Sequence, residues 1–140
     1  MRDNLYLLAI CSLAACSGDH RAPLVATEVI VTQSVPGTEV RAGYFALKNN
    51  TDAVITIDRI TSPDFAAVQM HETLIENGIA SMRALQELPI QAGHTVRFER
   101  GGKHLMLLRP VGHLDVVTLQ FYSDDTLLLS IDAGSEPVLY

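Results

Sequence analysis

The chain is built from short segments in which apolar and polar side chains alternate, separated by clusters of turn-forming residues. Such alternation is typical of β-strands, because successive side chains of a strand point to opposite faces. No stretch keeps the 3.6-residue spacing of an amphipathic helix over three turns. The segments that we predict as strands are 25–33, 40–48, 53–60, 66–74, 81–85, 95–99, 103–108, 116–122 and 126–132.

Many short strands at this spacing, with no predicted helix between them, favour an antiparallel β-sandwich of the Greek-key type. The chain has 140 residues, of which 48% are hydrophobic and 19% are charged. That composition supports one sizeable hydrophobic core, and the sequence contains no internal repeat. We therefore predict an all-β fold with a single globular domain over residues 24–140.

The first residues resemble the leader of a bacterial lipoprotein. Residues 5–15 form an apolar segment that is too short to span a bilayer. It ends in Leu13-Ala14-Ala15-Cys16, which is typical of sites where the cysteine is lipidated and becomes the first mature residue. We predict a signal peptide over 1–15, a lipidated Cys16 with a polar tether over 16–23, and a periplasmic domain anchored to a membrane. Ser17 after the cysteine favours the outer membrane.

Charge and cysteine content narrow the function classes. The net charge is -6 and no run of basic residues occurs, which argues against a nucleic-acid partner. Cys11 would leave with the signal peptide and Cys16 would carry the lipid, so the domain itself contains no free cysteine. This excludes a disulfide framework and every metal site that needs a thiolate, including a blue-copper centre.

Methionine and histidine are concentrated in one part of the domain. Met70 and His71 are followed by Met82, then by His104 and Met106, in the pattern M-H-x10-M-x21-H-x-M. A thioether is a soft, uncharged donor that favours Cu(I) over zinc, iron or magnesium, and imidazole is compatible with the same ion. The pattern therefore predicts a site for one Cu(I) ion per domain.

Strand geometry explains how this spacing could form a site. On a strand, His104 and Met106 project to one face, whereas Leu105 and Leu107 project to the other and can enter the core. Glu76-Asn77-Gly78 is a hairpin signal. A hairpin at this turn would return Met82 towards His71, so that one hairpin and one strand would each supply two donors.

Other functions are compatible with parts of this pattern. A single methionine on a strand is more often part of the core than a ligand, although the combined spacing of four donors favours a site. An alternative is a lipid-anchored sandwich whose methionines form an adaptable patch for a protein partner. A periplasmic copper buffer is a third possibility. No arrangement of nucleophile, base and acid is present, so we do not predict an enzyme.

The motif H-x10-M-x21-H-x-M is the signature of the periplasmic copper chaperone family called PCu(A)C, and the sequence resembles it without a gap. The resemblance runs from about Thr27 to Asp132. Further segments similar to landmarks of that family are Tyr44-Phe45-Ala46-Leu47-Lys48-Asn49-Asn50, Met70-His71-Glu72, Met82-Arg83, Pro89-Ile90-Gln91-Ala92-Gly93 and Gly101-Gly102-Lys103-His104-Leu105-Met106-Leu107.

The resemblance implies a cupredoxin-like sandwich that binds Cu(I) at its rim. It implies His71, Met82, His104 and Met106 as ligands, with Met70 as an optional extra thioether. The family is associated with copper delivery to the binuclear site in subunit II of cytochrome c oxidase, often together with Sco-type proteins. We accordingly expect a monomeric copper chaperone. In contrast to better-known members, the sequence has a short loop after Met106 and no His/Met-rich C-terminal tail, which weakens the case for a second site that binds Cu(II).

Overall fold

The computed structural model describes residues 21–34, 37–111 and 114–137. The first six strands are β1 (Leu24–Thr32), β2 (Val40–Asn49), β3 (Ile55–Ile57), β4 (Arg59–Thr61), β5 (Phe65–Glu76) and β6 (Ile79–Leu85). The remaining strands are β7 (Leu88–Ile90), β8 (Thr95–Phe98), β9 (Lys103–Pro110), β10 (Val116–Ser123) and β11 (Thr126–Glu136). Within these ranges, no helix has the length and hydropathy that a bilayer crossing requires. The predicted leader and the lipidated Cys16 lie outside the described residues.

Nine strands form one continuous sheet that wraps around the core, in the order β4-β10-β11-β1-β2-β9-β5-β6, with β8 also paired to β2. Strands β3 and β7 form a separate antiparallel pair. The all-β prediction is confirmed. The pairing is antiparallel as predicted except at one junction, where β1 and β11 pair in parallel through Val31 and Ser135. This junction joins strands that are distant in sequence, so local turn signals could not predict it.

The two sides of the wrapped sheet pack against each other around an aromatic cluster in the core. The Phe45 ring on β2 stacks on Phe98 of β8 at a centroid distance of 4.4 Å. The same ring meets Phe121 of β10 edge-on at 5.4 Å. These are favourable aromatic geometries, and all three side chains are almost fully buried. The cluster therefore fixes β2, and with it the strands that pair with β2, against β10.

The segment predicted as one strand over 53–60 is divided in the structure. β3 ends at Ile57 and β4 begins at Arg59, and the two strands pair with different partners. Asp58 lies at the break, where its carboxylate accepts a hydrogen bond from the Asp124 backbone at 2.6 Å. Ile57 and Ile60 are both buried, whereas uninterrupted alternation would place them on opposite faces. Another difference is β7, which the sequence predicts only as a connection.

Asn49, the last residue of β2, has a structural role that accounts for an asparagine at this position. Its side chain is completely buried at the end of β2. The amide nitrogen donates to the carbonyl groups of Ala53 and Ile90, and the amide oxygen accepts from Thr51. Because a buried amide must have its hydrogen bonds satisfied, this residue joins the loop after β2 to β7.

Candidate metal centre

Strands β5 and β9 bring the two histidines side by side. They pair antiparallel with His71 opposite His104 and Gln69 opposite Met106. Opposing side chains of an antiparallel pair are close neighbours, with Cβ atoms about 4.5–5.5 Å apart. The imidazole centroids are 5.9 Å apart and the rings are tilted by 51°. Two imidazoles that bind one ion at about 2 Å have centroids roughly 5–6.5 Å apart, so the observed distance is compatible with a shared metal.

The β5–β6 hairpin places Met82 beside this pair. Asn77 and Gly78 have φ values of 52° and 78°, the left-handed conformation that a two-residue type I′ hairpin turn requires. The resulting register sets Met82 opposite Thr73 and His71 opposite Ala84. Met82 is thus a diagonal neighbour of His71 on the same face, as the sequence predicts. Its side chain is 62% exposed.

The candidate ligands occupy the outward face of the sheet. Leu105 and Leu107, at the alternate positions of β9, are completely buried. Their inward direction confirms the predicted division of β9 into a core face and a donor face. Met70 is only 5% exposed and belongs to the core, on the opposite face of β5 from His71. The suggestion of Met70 as an optional ligand is therefore wrong, because strand alternation directs its thioether away from the other donors.

A backbone carbonyl orients the His104 ring. Its Nδ1 lies 3.1 Å from the carbonyl oxygen of Gly102 in the turn before β9. The carbonyl can only accept, so Nδ1 carries the proton and donates it. Nε2 then keeps a lone pair. Histidine ligands of metals are usually held in this way, with one nitrogen donating to a carbonyl and the other free to bind.

His71 shows a complementary arrangement. Its Nε2 donates to the side-chain oxygen of Gln69 at 3.2 Å, whereas Nδ1 is buried and has no hydrogen-bond partner. A buried polar atom without a partner is uncommon and indicates a missing interaction. Burial, and secondarily the nearby His104, lower the pKa of His71. Both effects favour the neutral ring, which is the form that can bind a metal.

Three of the donors line a shallow depression of about 360 Å³ on the outward face, namely Met82, His104 and Met106. Tyr44 and Arg100 form part of its wall. Within the described ranges, no cluster of three or more His, Cys, Asp or Glu side chains could hold a metal ion. A metal at this place would therefore depend on the thioethers. Two imidazoles and two thioethers without a carboxylate or thiolate match the preferences of Cu(I).

An ion-pair network holds the three donor-carrying strands together from the other face. The Glu72 carboxylate contacts Lys103 of β9 at 2.7 Å and Arg83 of β6 at 2.9 Å. Hydrogen bonds from Lys103 and Arg83 lower the pKa of Glu72. Although Glu72 and Lys103 each adjoin a candidate ligand in sequence, they take no part in the donor set. They bridge β5, β6 and β9 in the register that aligns it.

Gln69 and Gly102 orient the two candidate histidine ligands by hydrogen bonds, and the sequence analysis predicted neither role. Gln69 lies two residues before His71 on the same face, so strand alternation could have indicated it. The role of Gly102 could not be predicted from the sequence, because it acts through its backbone carbonyl and not through a side chain.

His94 is exposed in the loop before β8, where its ring contacts the Ala92 carbonyl at 3.0 Å. The other two histidines outside the motif lie outside the described residues.

Comparison with known proteins assigns the family. The profile described as "Putative lipoprotein LpqE-like" matches residues 24–126, which is most of the chain. The chain belongs to this LpqE-like family. A relative named "Putative lipoprotein Lxx21020", from Leifsonia xyli subsp. xyli, is 30% identical over 96 residues. That match covers 64% of this chain and 58% of the relative, so the chain spans little more than half of the relative's length.

Solved structures with the same fold include PCuAC domains. The copper-bound PCuAC domain of PmoF2 superposes with a TM-score of 0.67 at 16% identity, covering 83% of this chain and 94% of that domain. Cu(I)-bound DR1885 of Deinococcus radiodurans has a TM-score of 0.61 at 24% identity, covering 88% and 83%. The LpqE-like chain thus has the fold of the PCuAC domains, and the predicted cupredoxin-like architecture is confirmed.

Proposed function

We propose that this LpqE-like protein is an extracytoplasmic Cu(I) carrier whose ligands are His71, Met82, His104 and Met106. The observation that carries the proposal is the common face of the four donors on β9, β5 and β6. It is supported by the tautomers of the two imidazoles, since each has one nitrogen hydrogen-bonded and the other available. The PCuAC domain of PmoF2 and DR1885, which share the fold, were solved with copper and with Cu(I) respectively.

Ligand chemistry suits transfer of copper better than permanent storage. Thioethers are neutral and need no deprotonation to bind or release the ion. Met82, on the exposed edge strand β6, is the ligand most accessible from solvent. We expect a partner's donor to replace Met82 first, while the half-buried His104 and Met106 still hold the ion. Copper then moves by stepwise ligand exchange and is never released free.

The predicted leader and the family support a place of action beside a membrane. Lipidation at Cys16 would keep the domain beside a membrane of the periplasm, and the lipoprotein names of the family and of the Leifsonia relative support an anchor. The proposed client is the binuclear copper site in cytochrome c oxidase subunit II, reached directly or through a Sco-type protein. Ser17 favours the outer membrane for the anchor, which conflicts with an inner-membrane oxidase as the client.

Two other functions use parts of the same surface. A protein-interaction module is favoured by the exposed apolar residues Ile75, Ile79 and Met82 around the hairpin. A copper buffer would use the same ligands without a specific client. Deletion of the gene distinguishes delivery from buffering: loss of oxidase activity that added copper restores indicates delivery, whereas copper sensitivity with normal oxidase indicates buffering.

The decisive experiment is a Cu(I) titration of the chain from Ser17 onward in competition with a chromophoric chelator. We expect one tight equivalent for the wild type. Met82→Leu/Met106→Leu should weaken binding by at least about 100-fold, since two of four ligands are lost. Met70→Leu is the matched control, because it removes a thioether from the core face and should leave affinity unchanged.

Absence of stoichiometric binding, or an affinity that is indifferent to the double substitution, would contradict the carrier proposal and leave the interaction module as the better account. Equal weakening by Met70→Leu would indicate that the substitutions act through the fold rather than through ligation.

A further inference from the structure

The depression lined by three of the four proposed copper ligands has a charge opposite to that of the whole protein. The chain carries 16 acidic and 10 basic residues. Among the described residues that line the depression, however, the only charged side chains are Arg41 and Arg100. A cationic wall beside a cation-binding site weakens the binding of the ion, so it calls for an explanation other than copper affinity.

The backbone holds Arg100 in place beside the donors. Arg100 lies in the turn between β8 and β9, which is closed by a 2.7 Å hydrogen bond from the Glu99 backbone to Lys103. Its exposed guanidinium lies 5.4 Å from the centroid of the Tyr44 ring, a favourable cation–π contact. Tyr44 lies where β2 changes its pairing from β9 to β8. The turn lies beside this change of pairing, and Arg100 lines the depression together with Tyr44.

Arg41 adds to the local field without being available to a partner. Its Nη1 donates to the carbonyl of Leu114 and to the hydroxyl of Ser135, both of which are uncharged. Within the part of the chain that the structure describes, neither Arg41 nor Arg100 forms an ion pair with a carboxylate. No carboxylate of the described residues lies within ion-pair distance of either guanidinium at the depression itself; Glu28, Glu99 and Glu136 line a neighbouring pocket with Arg100, and Asp115 lines another with Arg41.

Apolar side chains complete the rim on the hairpin side. Ile75 is opposite Ala80, two residues from Met82, so Ile75 and Met82 share the face that carries His71. Ile75 is 72% exposed. The exposed surface around the proposed site thus combines two apolar side chains with one guanidinium. We call Arg100, Ile75 and Met82 the docking rim.

We propose that the docking rim receives a copper-exchanging protein that presents a carboxylate beside its own copper ligands. The proposal rests on the Cu(I) function proposed above, because ligand exchange requires the two donor sets to approach the same ion. A carboxylate would pair with Arg100, whereas the acidic remainder of the domain would repel it. The charge pattern therefore orients the partner so that its ligands face Met82.

The test uses the full-length protein in detergent, loaded with Cu(I), and two labelled acceptor peptides with the same Met/His copper-binding sequence. One peptide is flanked by glutamates and the other by lysines. Transfer rates are measured by stopped-flow for the wild type, Arg100→Gln and Arg59→Gln. Arg59 is the matched control, since it also lies over a tyrosine, Tyr122, at 4.1 Å, but on β4. Each variant is titrated with Cu(I) beforehand so that rates are compared at full loading.

We expect faster transfer from the wild type to the glutamate-flanked peptide than to the lysine-flanked one, and a loss of the difference at high salt. Arg100→Gln should slow transfer to the acidic peptide about threefold, the effect of removing one charge pair in water-like surroundings. Equal rates for the two peptides, or equal slowing by Arg59→Gln, would overturn the docking proposal. Failure of the Cu(I) titration would instead refute the carrier function, and it is seen before any transfer is measured.

Discussion

The inward and outward faces of β5, β9 and the adjoining β6 are packed differently, although residues of the two faces alternate along each strand. On the inward face, Met70, Leu105 and Leu107 are packed into the core. On the outward face, His71 keeps a buried nitrogen without a partner and Met82 leaves its thioether in solvent. The inward face is thus arranged for stability. The outward face sacrifices some stability to keep donors available, as binding sites commonly do.

The sharpest way to test this contrast is to truncate neighbouring residues on β9. Leu107→Ala should lower the free energy of unfolding by about 2–5 kcal/mol, because a completely buried leucine leaves a cavity. Met106→Ala should lower it by about 1 kcal/mol or less. Chemical denaturation measures both values. Similar losses for the two variants would show that the faces do not differ as described.

The next effect concerns His71, where function and stability should change in opposite directions. His71→Leu should reduce Cu(I) affinity by more than about 100-fold, beyond the usual cost of losing an outer-sphere partner. The same substitution removes the unpaired Nδ1, so the metal-free protein should become more stable by about 1 kcal/mol. Chelator competition and denaturation of the apoprotein provide the two measurements. A destabilised apoprotein would mean that Nδ1 has a structural role.

A smaller effect is expected from Gln69, which orients the His71 ring. Gln69→Leu should weaken Cu(I) binding by about tenfold, because the ring loses the acceptor that fixes its tautomer. Gln69→Glu retains an acceptor and should preserve most of the affinity. If both variants bind like the wild type, the tautomer of His71 is set by another group.

The smallest effect concerns the Glu72 network on the opposite face. The pKa of Glu72 is lowered from 4.5, so its ion pairs stabilise the fold above that pH and are lost as the pH falls through the lowered value. Glu72→Gln should cost about 0.5–1 kcal/mol near neutral pH, a typical range for such pairs. The cost should disappear at low pH. Denaturation curves from pH 7 to about pH 3 measure it, and a pH-independent difference would exclude the ionic explanation.

The alternation of β9 and the hairpin turn at Asn77-Gly78 could be predicted because both are local. Strand side chains alternate by covalent geometry, and few residues besides Asn and Gly tolerate the conformation of this turn. The chemical identity of the donors is likewise present in the sequence, which is why a soft-metal site could be proposed without coordinates. Strand alternation also predicts that the adjacent residues Met70 and His71 point to opposite faces. The motif suggested instead that both could bind the same metal.

Other features depend on contacts between residues that are distant in the chain. The pairing of His71 with His104, the parallel junction of β1 with β11 and the break at Asp58 are set by hydrogen bonds across the sheet. The same holds for the place of Arg100 above Tyr44. The sequence by itself determined which donors exist and on which side of each strand they lie. Only the tertiary structure decided the register, because non-local pairing and core packing select one alignment among several that local propensity allows.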